Sequence, residues 1–140
     1  MSTLVIHTDG GSRGNPGPAA TGVVFLLNGE VVQEFGKYLG VQTNNEAEYQ
    51  AVVDSIIVLP EFCAKHKITR VEWKLDSMLV VQQLNKAWKI KEPRLAAFAQ
   101  SIWKSLAELS VTYTFSYVPR AQNHLADAMV NKTLDLQAKG

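Results

Sequence analysis

The chain of 140 residues contains one cysteine, three histidines and no apolar run near the roughly 20 residues that span a bilayer. A lone Cys63 excludes an internal disulfide. Cys63 and His66 are isolated and His7 and His124 lie far apart, so no zinc-ligand spacing is present. Charge of one sign is also scarce. Fourteen basic against thirteen acidic residues give a net charge of +1, so any polyanion must be bound by charge placement rather than bulk charge. The opening "MSTLVIHTDGG" has neither a positive n-region nor a long apolar h-region, and a reducing cytoplasm is the expected setting. With 46% hydrophobic and 19% charged residues, the composition is that of an ordinary soluble globular protein and argues against disorder and membrane insertion. Residues 1–140 are expected to form a single domain burying roughly two-thirds of the unfolded chain's surface. There is no internal repeat, low-complexity tract or interdomain linker.

The residues that are present order themselves clearly. "TLVIHTD", residues 3–9, is β-branched and apolar on both faces, as a buried central strand should be. "ATGVVFLLNGEVVQEFGKYLG" predicts two strands folded about Asn28 and Gly29. "TNNEAEYQAVVDSIIVL" predicts a helix ending at Pro60, and "TRVEWKL" alternates as a strand. A short helix is expected from Ser77 to about Asn85, and a longer one after Pro93 with Leu95, Phe98, Ile102, Leu106 and Leu109 at helical spacing. "SVTYTFSYV" predicts a strand, and "NHLADAMVNKTLDLQA" a final helix with Leu125, Met129 and Leu136 near one face. This order predicts an α/β fold: a mixed sheet with helices packed on its faces.

Behind Asp9, "GGSRGNPG" holds four of the nine glycines. It matches neither G-x-G-x-x-G nor a closing Gly-Lys-Ser/Thr, and a strand-like segment follows it, so it is not a phosphate cradle. It predicts either a wide connection between strands or a backbone that a ligand approaches closely.

Four acids are candidates for one site. Asp9 ends the first strand at the edge where such sheets bind ligands. Asp76 ends the fourth strand, where a plainer role is the N-cap of the following helix. Asp127 lies in the first turns of the last helix, where the dipole alone favours an acid. In "TNNEAEY" both Glu46 and Glu48 fit a capping box, with Thr43 or Asn45 respectively. Helical steps from Glu48 reach Val52, Ser55, Ile56 and Leu59, whereas those from Glu46 reach Gln50 and Asp54. Glu48 should therefore face inward, and Glu46 should face solvent or cap the helix. Converging carboxylates repel one another unless cations neutralise them, which implies a hard divalent metal. His7 reads as a core or near-site histidine rather than a ligand.

Taken in order, "TDGGSRGNPGPAA", "TNNEAEY", "LDSMLVVQQL" and "VPRAQNHLAD" resemble the type 1 ribonucleases H over nearly the whole chain. The resemblance implies a mixed five-stranded sheet flanked by helices. It further implies an endoribonuclease cutting the RNA strand of RNA–DNA hybrids with two Mg2+ ions, for which Mn2+ can substitute, leaving 3′-hydroxyl and 5′-phosphate ends. Its catalytic and metal-binding acids fall on Asp9, Glu48, Asp76 and Asp127. It implies that Gly10, Gly11 and Ser12 line the RNA side and that Asn15, Thr43 and Asn45 touch the hybrid backbone. Recognition by sugar and shape suits an A-like duplex. "NKAWKIKEPR" sets Trp88 beside Lys89 and Lys91, a patch suited to the DNA strand's phosphates, or else a solvated helix end with one packed tryptophan. The chain departs from many relatives in lacking a long basic protrusion. It also carries Arg120 where a flexible-loop histidine occurs, which assigns Arg120 to product release, with His124 close by. A monomer is expected. Two other readings stay open: a non-catalytic hybrid-binding module, and a fragment of an actin-like ATPase.

Overall fold

The computed structural model describes residues 2–139. Five strands form one sheet: β1 (Ser2–Ser12), β2 (Gly17–Leu27), β3 (Glu30–Gln42), β4 (Ile68–Leu75) and β5 (Thr112–Tyr117), in the order β3-β2-β1-β4-β5. The β1–β2 and β2–β3 pairs are antiparallel, and β4 joins β1 and β5 in parallel. The helices are α1 (Asn44–His66), α2 (Met78–Leu84), α3 (Pro93–Ala107) and α4 (His124–Lys139), the last preceded by a 3-10 turn at Arg120–Asn123. No helix among the described residues is long and apolar enough to cross a membrane.

The hairpin is as expected, because Asn28 and Gly29 both adopt positive φ (52° and 79°) and so match the twist of β2 and β3. The first strand is a correction. It runs beyond Asp9, with Gly10, Gly11 and Ser12 paired to Thr21, Ala20 and Ala19, and only residues 13–16 turn. Glycine composition had suggested loop, but pairing with β2 on one edge, and side chains of α1 accepting the Gly10 and Ser12 N–H groups on the other, satisfy this backbone as a strand.

A second correction concerns Pro60, which lies inside α1 rather than at its end. An interior proline costs about 3 kcal/mol. The turns beyond it bury Phe62 and Cys63 in the main core, with Phe62 edge-on to Phe25 at 5.1 Å, and this burial offsets the lost bond. The helix then closes at Lys67, whose left-handed φ of 54° aims its N–H at the Cys63 carbonyl.

The two sheet faces are covered by different helices. Thr21 donates to Asp54 of α1, whereas the neighbouring Gly22 lies against the Ala126 carbonyl of α4, where a Cβ would stand 2.2 Å away. Alternation along β2 therefore puts α1 and α4 on opposite faces. The close seat at Gly22 also corrects the expected face of α4. Ala126, Val130 and Leu134 are buried there, while Leu136 is 62% exposed, because small side chains fit beneath a helix whose backbone touches the sheet.

Candidate active site

The parallel ladder of β1 and β4 ends at Thr8 and Leu75, so Asp9, still within β1, and Asp76, just past β4, stand side by side where the two strands part. Ser77, not Asp76, caps α2, accepting the Val80 N–H at 3.3 Å, which leaves the Asp76 carboxylate free of that duty. Glu48 comes from the start of α1. Its Oε1 accepts the Gly10 N–H at 2.7 Å, a contact that requires α1 to lie directly on β1. Gly10 permits this, since a Cβ there would fall 2.1 Å from the Ala47 backbone. At Gly11 a Cβ would make only ordinary contact with Val130 at 3.5 Å. Helix packing thus accounts for one glycine of the pair and leaves the other unexplained by the fold.

Asp9, Glu48 and Asp76 each offer a ligand oxygen, all within 4.8 Å of one another. Asp9 is 7% and Glu48 6% exposed. Burial first, then the Asp76 charge, pushes the Asp9 carboxyl from 3.8 up to about 7. Burial, then the Asp9 charge, holds Glu48 well above the ordinary carboxylate range, although the Gly10 N–H opposes this. Three converging carboxylates, two of them buried, repel one another, and a hard, oxygen-seeking divalent ion relieves that repulsion; the donor set fits such an ion. Asp127 shares the cleft but not the trio. It is 31% exposed on the first turn of α4, where Arg120 Nη2 approaches its Oδ1 at 3.6 Å.

The cleft occupies about 320 Å3 and is bordered by the four acids, Gly10, Gly11, Ser12 and Arg120. Ser12 Oγ is buried without a hydrogen-bond partner. A larger groove of about 580 Å3 lies between β3, α1 and α3, but its acid, Glu46, is already paired with Arg94 at 2.9 Å. Chemistry selects the smaller cleft.

Glu46 takes the capping alternative. It accepts the Thr43 N–H at 2.9 Å while Thr43 Oγ1 accepts the Glu46 N–H at 3.1 Å, and it is buried rather than facing solvent. The Thr43 N–H and the Arg94 charge hold its carboxyl below the usual range. The other expected contact residues lie outside the carboxylate cleft. Asn15, Thr43 and Asn45 border a neighbouring cleft with Arg94, and Asn15 Oδ1 accepts the Asn44 N–H at 3.0 Å. Trp88 (48% exposed) and Lys89 border a third cleft with Lys86 and Trp103, and Lys91 is exposed nearby in sequence. His124 is exposed at the start of α4, outside the cleft lining.

Sequence reasoning missed three polar residues here. Asn123, fully buried, donates to the Thr8 carbonyl at 2.9 Å, which turns its Oδ1 toward His7 Nδ1, also at 2.9 Å. His7 therefore donates from Nδ1, and burial lowers its pKa. This pins the start of α4 to β1 next to Asp9. Asn44 Oδ1 accepts the Ser12 N–H at 3.4 Å, and Asn131 contacts Asp127. Only Asn44 carried a sequence signal, its place inside "TNNE".

A five-stranded mixed sheet with carboxylates gathered at the edge of its central strands defines a ribonuclease H-like α/β protein. Comparison with known proteins narrows this. Residues 7–133 match the family model described as "Reverse transcriptase-like". The chain is 40% identical over 133 residues to "Ribonuclease HI" of Halobacterium salinarum, covering 92% of this chain and 63% of that protein. It is 34% identical over 151 residues to "Ribonuclease H" of Paracidovorax citrulli, covering 96% of each. The solved structure "LC11-RNase H1 in complex with RNA/DNA hybrid" superposes with a TM-score of 0.91 at 38% identity, covering 96% of this chain and 99% of that one. The chain belongs to the type 1 ribonuclease H family. It spans less than two-thirds of the length of the Halobacterium relative and 36% of that of a bifunctional protein of Mycobacterium tuberculosis.

Proposed function

We propose that this chain is a single-domain, monomeric, cytoplasmic endoribonuclease that hydrolyses the RNA strand of RNA–DNA hybrids, using Mg2+ at Asp9, Glu48, Asp76 and Asp127. The observation that carries the reading is the convergence of three carboxylates within 4.8 Å at the sheet edge, two of them buried and with raised pKa. The family membership and the hybrid bound to a relative of 38% identity support it.

Divalent ions held by these acids supply Lewis acidity, which makes water a nucleophile near neutral pH and offsets charge on the leaving 3′-oxygen. The protein's own part is positional. Gly10 N–H fixes one Glu48 oxygen, so its other oxygen faces the cleft. Gly11 and Ser12 border the cleft beside the acids, where a ribose 2′-hydroxyl can meet the strand backbone; that group distinguishes RNA from DNA. Asn15, Thr43 and Asn45 orient the duplex by its backbone, and Trp88, Lys89 and Lys91 hold phosphates of the DNA strand, contacts that set register and carry no base information. Arg120 reaches the cleft from the 3-10 turn and releases the product phosphate after cleavage. Two Mg2+ ions per site, with Mn2+ as a substitute, complete the reading.

The test is incubation with sequence-matched hybrid, double-stranded RNA and double-stranded DNA, with Mg2+ or chelator. Cutting of the hybrid's RNA strand only in Mg2+ supports the reading. Equal cutting of all-DNA duplex, or no metal dependence, overturns it.

A further inference from the structure

Asp127 is the one acid of the four that stands outside the close trio, and its side chain is 31% exposed. Its side chain must be aimed by neighbours if it is to act with the others. Arg120 offers one approach at 3.6 Å but is itself 83% exposed. The second neighbour is Asn131, one helical turn further along α4. Its Nδ2 donates to the Asp127 carbonyl at 3.1 Å and reaches Asp127 Oδ2 at 3.4 Å.

An asparagine amide can face either way, and only one way gives Asp127 a donor. Arg13, from the turn after β1, decides which. Its Nη2 is anchored on Asp135 Oδ1 at 2.7 Å and lies 3.4 Å from Asn131 Oδ1. A guanidinium donates and never accepts, so it requires the amide oxygen to face it and leaves the NH2 for Asp127. All three contacts of Asn131 agree on this orientation. Asp127, Asn131 and Asp135 follow each other at intervals of four residues, so they form one stripe along α4 that Arg13 reads from the neighbouring strand turn.

We propose that Asn131 is a positioning residue for Asp127, and that Arg13 sets the amide orientation through which Asn131 acts. The inference rests on Asp127 belonging to the reacting centre. It predicts that Asn131 acts on metal affinity, while hybrid affinity without metal is untouched.

Four variants test it: Asn131→Leu, Arg13→Ala, Arg13→Lys and the double variant Arg13→Ala/Asn131→Leu. Each is followed by calorimetric Mg2+ binding to the free protein, by the Mg2+ dependence of hybrid cleavage, by hybrid binding in chelator across a salt series, and by thermal unfolding. Asn131→Leu should weaken Mg2+ binding about tenfold, the lower end of what loss of a ligand's hydrogen-bond partner costs. Arg13→Ala should weaken it less, roughly threefold, since the amide then samples both orientations. Arg13→Lys, also donor-only, should restore most of the loss, and the double variant should be no worse than Asn131→Leu alone. Hybrid affinity in chelator and its salt slope should stay at wild-type values.

If Arg13→Ala weakens hybrid binding and flattens the salt slope while Mg2+ binding is unchanged, Arg13 is a phosphate contact and the proposal is overturned. Additive losses in the double variant, or a lowered unfolding temperature that accounts for the whole effect, also overturn it. Calorimetry reads the inference even if the wild-type protein fails to cleave hybrid, so the two readings fail separately.

Discussion

Replacing Glu48 by Gln removes an acid from the buried trio while keeping an oxygen for the Gly10 N–H. In chelator, the folded protein holds protons at Asp9 and Glu48 that the unfolded chain releases in the ordinary acidic range. Both folded pKa values are raised, so both groups stabilise the fold at low pH, and that contribution is lost as pH rises toward and beyond about 7. Each proton bound by the folded state alone is worth at most about 1.4 kcal/mol per pH unit. Around pH 6 the wild-type curve should therefore fall more steeply than that of Glu48→Gln, by at most about 1.4 kcal/mol per unit. In chelator the variant should gain stability over the wild type as pH rises from 5 to 8. For a domain of this size each kcal/mol gained raises the unfolding temperature by about 4 °C. In Mg2+ the order should reverse, because the ion stabilises the wild-type fold by mass action. Glu46→Gln is the matched control with the opposite sign. Its carboxyl is lowered in the fold, so its contribution is present above the ordinary carboxylate range and lost as pH falls. That variant should cost about 1 kcal/mol at neutral pH, through the cap and the Arg94 pair, and retain most activity. Parallel stability–pH curves for wild type and Glu48→Gln in chelator, or a dead Glu46→Gln beside a live Glu48→Gln, would refute the reasoning.

Two further outcomes are expected. Gly10→Ala should destabilise the fold by about 3 kcal/mol or more, since its Cβ meets the Ala47 backbone at 2.1 Å, whereas Gly11→Ala should unfold like wild type and weaken hybrid binding; equal unfolding temperatures for the two would contradict the account of that pair. Replacing Lys89 and Lys91 with alanine should weaken binding to every hybrid sequence alike and reduce the salt slope by up to about 0.9 per lost contact, and an unchanged slope would leave the patch a solvated helix end.

What the sequence made legible was whatever depends on local order. Glu48 was separable from Glu46 because helical steps from the two reach different side chains, and the hairpin was visible because Asn-Gly suits two positive φ angles. The misreadings share a physical origin in partners distant along the chain. Gly10 and Gly11 looked like loop until pairing with Thr21 and Ala20 made them strand, and Pro60 looked like a stop until Phe62 was seen buried against Phe25. The face of α4 was rotated because Gly22 admits the helix backbone so closely that Ala126, not a larger apolar residue, lies beneath it. Asn123 gave no local signal, since its bonds reach His7 and Thr8 more than a hundred residues away.

The central claim is that the carboxylate trio holds the metal that cuts the RNA strand, and Asp9→Asn tests it most directly. The substitution adds no bulk, removes one metal-binding charge and relieves repulsion in the trio. Single-turnover cleavage of a labelled RNA–DNA hybrid in Mg2+, with hybrid binding measured on the same folded protein, is the measurement. The account predicts cleavage lost by orders of magnitude with binding retained or improved; near-normal turnover by the folded variant would contradict it.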